Sequence, residues 1–222
     1  MFKSNNRAVI WDMDGVIVDT AFYHRQAWQE VFGKKGILFS EEDFRHSFGQ
    51  RNDTIIKEVM GTGVSPDELN TISSEKEVIF RESISQNLRP LPGAIELITL
   101  IRQDGFLTAL ASSAPIENIR LLIEGLGIEK CFQCIISARD VSRGKPDPQV
   151  FLLAARRLGT EPGSCIVIED AVAGVSAAKR AGMHCVAVTN THPRDSLIEA
   201  DLTVSSLTEI TVNDLKSLLS QS

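Results

Sequence analysis

The sequence predicts an α/β protein: a doubly wound parallel sheet with a helical unit inserted after its first strand. Three observations carry this reading. Short apolar runs such as Ala8–Trp11, Leu107–Ala111 and Cys165–Ile168 recur along the chain. Segments with helical apolar spacing separate them in the second part of the chain. Between the first two runs lies a long charged stretch that contains helical patterns and no convincing strand. Strands that alternate with helices pair in parallel and are covered on both faces.

The elements follow in order. Ala8–Trp11 is the first strand. Tyr23–Phe32 has helical apolar spacing. Ser40-Glu41-Glu42-Asp43 opens a helix with acids in its first turn, where they meet the positive end of the dipole. Asp53–Met60 and Pro66–Asn87 also read as helices. Arg89-Pro90-Leu91-Pro92-Gly93 breaks the pattern and returns the chain to the sheet. Gly93–Gln103 is then a helix, Leu107–Ala111 a strand, Pro115–Leu126 a helix and Cys134–Ser137 a strand. Pro148–Leu158 is a helix and Cys165–Ile168 a strand. Ala171–Ala181 is a helix and Cys185–Val188 a strand. Leu202–Val204 forms an edge strand, and Val212–Leu219 closes the chain as a helix. The expected division is a core of residues 1–19 and 89–222 with an inserted helical domain of residues 20–88. No internal repeat or low-complexity segment interrupts it.

Composition narrows the function classes. The chain has 222 residues, of which 43% are hydrophobic, enough for a core domain plus a small one. No apolar run approaches the roughly 20 residues of a membrane helix. The polar start Met1-Phe2-Lys3-Ser4-Asn5-Asn6-Arg7 lacks the apolar stretch of a signal peptide. A cytoplasmic protein without membrane contact is expected. The net charge of −6 and the lack of a Lys/Arg block argue against nucleic acid as a partner. Cys131-Phe132-Gln133-Cys134 has the spacing of half a zinc site or a redox pair. A zinc site needs a second ligand pair, and Cys165 and Cys185 each open an apolar run instead. Buried free thiols are the plainer reading.

Doubly wound sheets bind ligands at the carboxyl ends of their strands. There the first strand offers Asp12 and Asp14, and the next Ser112 and Ser113. The third leads through Arg139 and Asp140 to Lys145, and the fourth offers Glu169 and Asp170. Paired carboxylates after a buried strand can hold a divalent cation and supply a nucleophile and a proton donor. Phosphoryl transfer needs all three at one point.

Asp12-Met13-Asp14-Gly15-Val16-Ile17-Val18-Asp19-Thr20, Ala111-Ser112-Ser113, Gly144-Lys145-Pro146-Asp147-Pro148 and Ile168-Glu169-Asp170-Ala171-Val172-Ala173-Gly174 together resemble the haloacid dehalogenase superfamily. The likeness spans nearly the whole chain and points to the group with a small helical cap after strand one. Within that group the chain is similar to beta-phosphoglucomutases and sugar-phosphate phosphatases. The resemblance implies a Rossmann-like core that carries chemistry and a cap that excludes water and selects substrate. It implies Asp12 as nucleophile and Asp14 as acid/base. Ser112 would bind the transferring phosphoryl group, and Lys145 would offset its charge and orient Asp12. Mg²⁺ would sit on Asp12, the backbone carbonyl of Asp14, and Asp170, with Glu169 binding directly or through water. Asp170 has a second reading as the cap of the helix that follows, and Ser112 likewise. The free N–H groups after Ser112-Ser113-Ala114 would face the same anion.

The substrate side is less determined. His24 matches a cap-side histidine that couples substrate binding to acid/base function in the mutases, or is an ordinary interface histidine. Arg51, in Phe48-Gly49-Gln50-Arg51-Asn52-Asp53, and Lys76 are candidates for the distal part of a substrate, or are solvated cations. A mutase handles a bisphosphate in two orientations and needs two phosphate sites. Here the segment after the core serine reads Ala114-Pro115-Ile116, without the polar and basic residues of the mutases, and either Arg51 or Asn52 occupies the position of their cap arginine. The expectation is therefore a monomeric phosphatase for a small phosphorylated metabolite, a sugar phosphate, with mutase as the alternative. Dehalogenation needs neither Asp14 nor a metal. A phospho-receiver module would carry its aspartate on an interior strand and no cap.

Overall fold

The computed structural model describes residues 6–220. Residues 1–5, which hold most of the polar start, lie outside the described residues. Six strands form one parallel sheet: β1 (Ala8–Trp11), β2 (Leu107–Ala111), β3 (Cys134–Ile136), β4 (Cys165–Glu169), β5 (His184–Val188) and β6 (Leu202–Val204). Their spatial order is β3-β2-β1-β4-β5-β6. The order reverses at β1, whose neighbours are β2 and β4, so the crevice for a ligand opens beside β1. Trp11 lies opposite Leu110 on one side and Ile168 on the other.

Both sheet faces are dry, which is why the strands read as unbroken apolar runs. Val9 and Trp11 point into one cluster, with α5 (Ala94–Gln103), α6 (Ile116–Gly125) and α9 (Val212–Leu219). Ala8 and Ile10 point into the other, with α7 (Gln149–Leu158) and α8 (Val172–Arg180). Among the described residues no helix is long and apolar enough to cross a membrane.

The insertion consists of α1 (Ala21–Gly33), α2 (Glu41–Ser47), α3 (Asn52–Met60) and α4 (Pro66–Ile84). Ser40 caps α2 in a capping box with Asp43, as the acid-rich start predicts. These helices bury a cluster of their own, built on Trp28, Phe32, Phe39, Phe44, Ile56 and Ile72. Phe80 and Ile84 at the far end of α4 and Ala27 of α1 join the sheet's cluster instead. Entry and exit lie side by side: Val18 bridges to Pro90, and Leu91 donates its N–H to the Ile17 carbonyl at 2.8 Å.

Strand positions agree with the sequence to within a residue. Helix ends shift more: α4 stops at Ile84 rather than Asn87, and α6 starts at Ile116 because Pro115 has extended backbone. All four cysteines are free. Cys165 and Cys185 are buried, whereas Cys131 and Cys134 are only partly so.

Candidate active site at the carboxyl ends of the strands

Two strand ends and a loop deliver the charged floor of one cleft. Asp12 follows β1 with its backbone still paired, donating its N–H to the Ile168 carbonyl at 3.0 Å. Glu169 ends the neighbouring strand. Lys145 arrives from the loop before α7, where the peptide bond to Pro146 is cis. Its ammonium donates to Asp12 Oδ1 at 2.6 Å and to Glu169 Oε1 at 2.5 Å. All three side chains are buried. Burial alone would lower the Lys145 pKa, but the two carboxylates raise it, so the lysine is held as a cation.

The second oxygen of Glu169 accepts the Asp170 and Ala171 backbone N–H groups, each at 2.8 Å. Room for it exists because residue 174 is glycine, where a Cβ would overlap the Glu169 carboxylate. Glu169 thus holds the start of the α8 turn, and Asp170 does not cap it. The N-cap position is Ala171, without a side-chain bond. Asp170 instead accepts a short hydrogen bond from Thr191, and its Oδ1 is buried without a partner.

A bare carboxylate oxygen at that depth is costly unless a cation meets it. Asp12, Glu169 and Asp170 each offer an oxygen, and these lie within 4.8 Å of one another. Burial and then the nearby carboxylates raise Asp12 to about 8 against the pull of Lys145, and Asp170 well above the usual range. A crowded set of hard oxygen donors with one orphaned oxygen fits a divalent ion. Glycine at 15 serves the same spot. It has φ +77°, and a Cβ there would collide with the Asp170 carboxylate.

Asp14 hangs over this floor. Its Oδ1 accepts from Thr20 Oγ1 at 2.7 Å and from His24 Nε2 at 3.1 Å. Burial would raise its pKa, but these two donors and the charge of Lys76 lower it. His24 is itself buried, stacked on Phe80 with ring centroids 3.9 Å apart, and burial together with Lys76 lowers its pKa. Its other nitrogen, Nδ1, meets Lys76 Nζ at 2.8 Å. Lys76 is no solvated cation: it is 2% exposed and also donates to Glu77 Oε1 at 2.9 Å.

Ser112 directly follows β2, buried, with its Oγ accepting the Ala114 N–H at 3.0 Å. It is not the cap of α6, which Pro115 precedes. Asp12, Asp14, His24, Lys76, Ser112 and Ser113 line a single cleft with the cap residues Trp28, Phe48, Gln50 and Asn52. Arg51 is placed elsewhere. Its guanidinium turns to the core, donating to the carbonyls of Ala138 at 2.8 Å and Val141 at 2.6 Å, and pairs with Asp53. It packs where Gly144 leaves space.

The sequence reading leaves out Thr20, Thr191, Glu77 and Asn118, and weighs Asn52 only for the position of the cap arginine. Thr20 stood inside the Asp12–Thr20 motif and was within reach of a local argument. Thr191 sits in a loop after β5, and no spacing rule ties it to Asp170.

Comparison with known proteins follows the same lines. The haloacid dehalogenase-like hydrolase family profile matches residues 6–182. The chain is 31% identical over 210 residues to validoxylamine A 7'-phosphate phosphatase of Streptomyces hygroscopicus subsp. limoneus, covering 92% of this chain and 95% of the relative. It is 32% identical over 214 residues to the beta-phosphoglucomutase of Bacillus subtilis, covering 93% and 92%. In structure it is similar to the beta-phosphoglucomutase of Clostridium difficile, with TM-score 0.88 and 28% identity, covering 97% and 98% of the two chains.

Proposed function

The chain belongs to the haloacid dehalogenase-like hydrolase family, and from that premise we propose that it is a Mg²⁺-dependent phosphatase of a small sugar or polyol monophosphate, working through an aspartyl-phosphate. The observation that carries this reading is the buried Asp12 carboxylate, aimed by Lys145 into a cleft where Asp14 and Ser112 also meet.

In the first step an Asp12 oxygen forms a bond to phosphorus while the ester P–O bond breaks. Asp14, in its protonated form, gives its proton to the departing oxygen. In the second step water forms the new P–O bond, the Asp12–phosphorus bond breaks, and Asp14 takes the water proton. Two donors converge on Asp14 Oδ1, which leaves Oδ2 to carry the proton in transit. The Ser112 hydroxyl and the Lys145 ammonium hold the phosphoryl oxygens. The side chains of Asp12 and Asp170 and the backbone carbonyl of Asp14 would hold the metal, which supplies positive charge where phosphate and carboxylate otherwise repel. Glu169, the third member of the buried oxygen-donor group, would stand beside the metal directly or through water while it also fixes Lys145 and the α8 turn.

The distal part of the cleft favours hydrolysis of a monophosphate. Among the described residues lining it, Lys76 is the one lysine or arginine, and it is engaged by His24 and Glu77. Besides Glu77 and Ile55, the distal lining is aromatic or neutral and polar: Trp28, Phe44, Phe48, Ser47, Gln50 and Asn52. Such a surface suits hydroxyl groups and ring faces better than a second phosphate. Mutase activity stands as the second reading because of the likeness to beta-phosphoglucomutases. A phosphorus NMR time course with Mg²⁺, beta-glucose 1-phosphate and a trace of the 1,6-bisphosphate separates the two. Release of inorganic phosphate is expected. Accumulation of glucose 6-phosphate would overturn the hydrolytic reading.

A further inference from the structure

Two consecutive residues of α4, Lys76 and Glu77, are both buried and both charged. A charge in that position persists only when it is paired and fully hydrogen-bonded. Glu77 meets this demand with three donors. Its Oε1 accepts from Lys76 Nζ at 2.9 Å and from Asn52 Nδ2 at 2.7 Å, and its Oε2 accepts from Asn118 Nδ2 at 2.5 Å. Counting the Lys76 charge with these bonds, the glutamate is held at about 2 although burial alone would raise it.

Asn118 belongs to α6 of the core and is fully buried. Its Oδ1 accepts from Arg81 NH1, again on α4, at 2.9 Å. Only one amide orientation satisfies both contacts, because Arg81 offers hydrogens and Glu77 accepts them. The asparagine is therefore clamped between two residues of one cap helix.

The same logic runs onward from Glu77. A lysine ammonium has hydrogens to donate and no lone pair, so Nδ1 of His24 is the acceptor in its contact with Lys76. The ring hydrogen then sits on Nε2, which donates to Asp14. A continuous line of hydrogen bonds leaves the core at Asn118, crosses the cap through Glu77, Lys76 and His24, and returns to the core at Asp14. It is complete only when the cap rests on the core.

We propose that Asn118 and Glu77 are positioning residues for the proton-transfer role of Asp14, linking cap closure to its alignment. The proposal rests on the phosphatase reading above, and the test separates the two. The probes are glucose 6-phosphate, whose leaving oxygen needs a proton, and 4-nitrophenyl phosphate, whose leaving group departs as a stabilised anion. The quantity is kcat/KM, which reports steps up to transfer onto Asp12.

Asn118→Ala is expected to lower kcat/KM for glucose 6-phosphate by about tenfold or more, a fraction of what acid catalysis supplies, and for 4-nitrophenyl phosphate by less than about twofold. Equal losses on both esters, or none on either, would overturn the proposal. Should Asn118→Ala lose its fold, Arg81→Met carries the test. It removes only the outer donor and is expected to show the same selective loss in smaller measure. Asp12→Asn reads the premise by itself: turnover of both esters surviving in it would remove the phosphatase mechanism, whatever Asn118 does.

Discussion

Asp12 and Asp170 are carboxylates placed where a carboxylate is unwelcome, buried beside each other and Glu169 with one lysine among them. That arrangement is poor for stability and suited to chemistry, because the charge is unspent until substrate and cation arrive. Asp12→Asn removes the oxygen proposed to attack phosphorus but keeps the size and most polar contacts. Turnover should fall by at least about a thousandfold with an unchanged circular dichroism spectrum; rates within tenfold of the parent would reject the nucleophile. Asp170→Ala deletes the orphaned oxygen, so its activity should require at least about tenfold more Mg²⁺ or vanish; an unmoved Mg²⁺ titration would exclude Asp170 as a ligand. These residues were legible because each follows an apolar strand directly, and a strand end in a doubly wound sheet has a known address. Thr191 and Glu77 were not. They reach the site from a loop and from a helix face, where position along the chain says nothing about what is met in space.

The helix α4 shows both sides of that contrast. Its existence and its start at Pro66 were legible in the sequence, and in the structure Ser65 caps it. Which of its charges would be buried was not, since Lys76 and Glu77 look like any exposed pair until α1 and α6 close over them. The pairing has a pH signature. Glu77 sits at about 2 in the folded chain against an ordinary value of 4.5. Its stabilisation is complete above the ordinary value and is lost as pH falls towards 2, with a magnitude on the order of 3 kcal/mol. Glu77→Gln should therefore be less stable near neutral pH and lose less further stability on acidification. Melting curves at about pH 6 and pH 3 check this, and parallel acid losses in both proteins would contradict it. Arg51, at the start of α3, offered the sequence a free cation, whereas it is spent on two core carbonyls. Arg51→Ala should loosen the closed cap, raising KM about three- to tenfold with a smaller change in kcat. A changed substrate preference at constant KM would restore the direct contact that the sequence suggested.

At the scale of the whole molecule, the parallel sheet and the helical insertion were both legible, because parallel strands buried on two faces leave unbroken apolar runs. The closed relation of cap to core was not, since it rests on contacts such as Arg51 to Val141 and Arg81 to Asn118 between residues far apart in sequence. The paired stems of the insertion, Val18 against Pro90 and Ile17 against Leu91, carry a consequence of a different kind. A guest segment whose two ends are already hydrogen-bonded neighbours imposes little chain entropy on its host, because the loop closes locally whatever its length. The sheet would pair in the same register around a longer, shorter or unrelated insert. Inheritance can therefore exchange the inserted helices while leaving the sheet and the residues at its strand ends untouched.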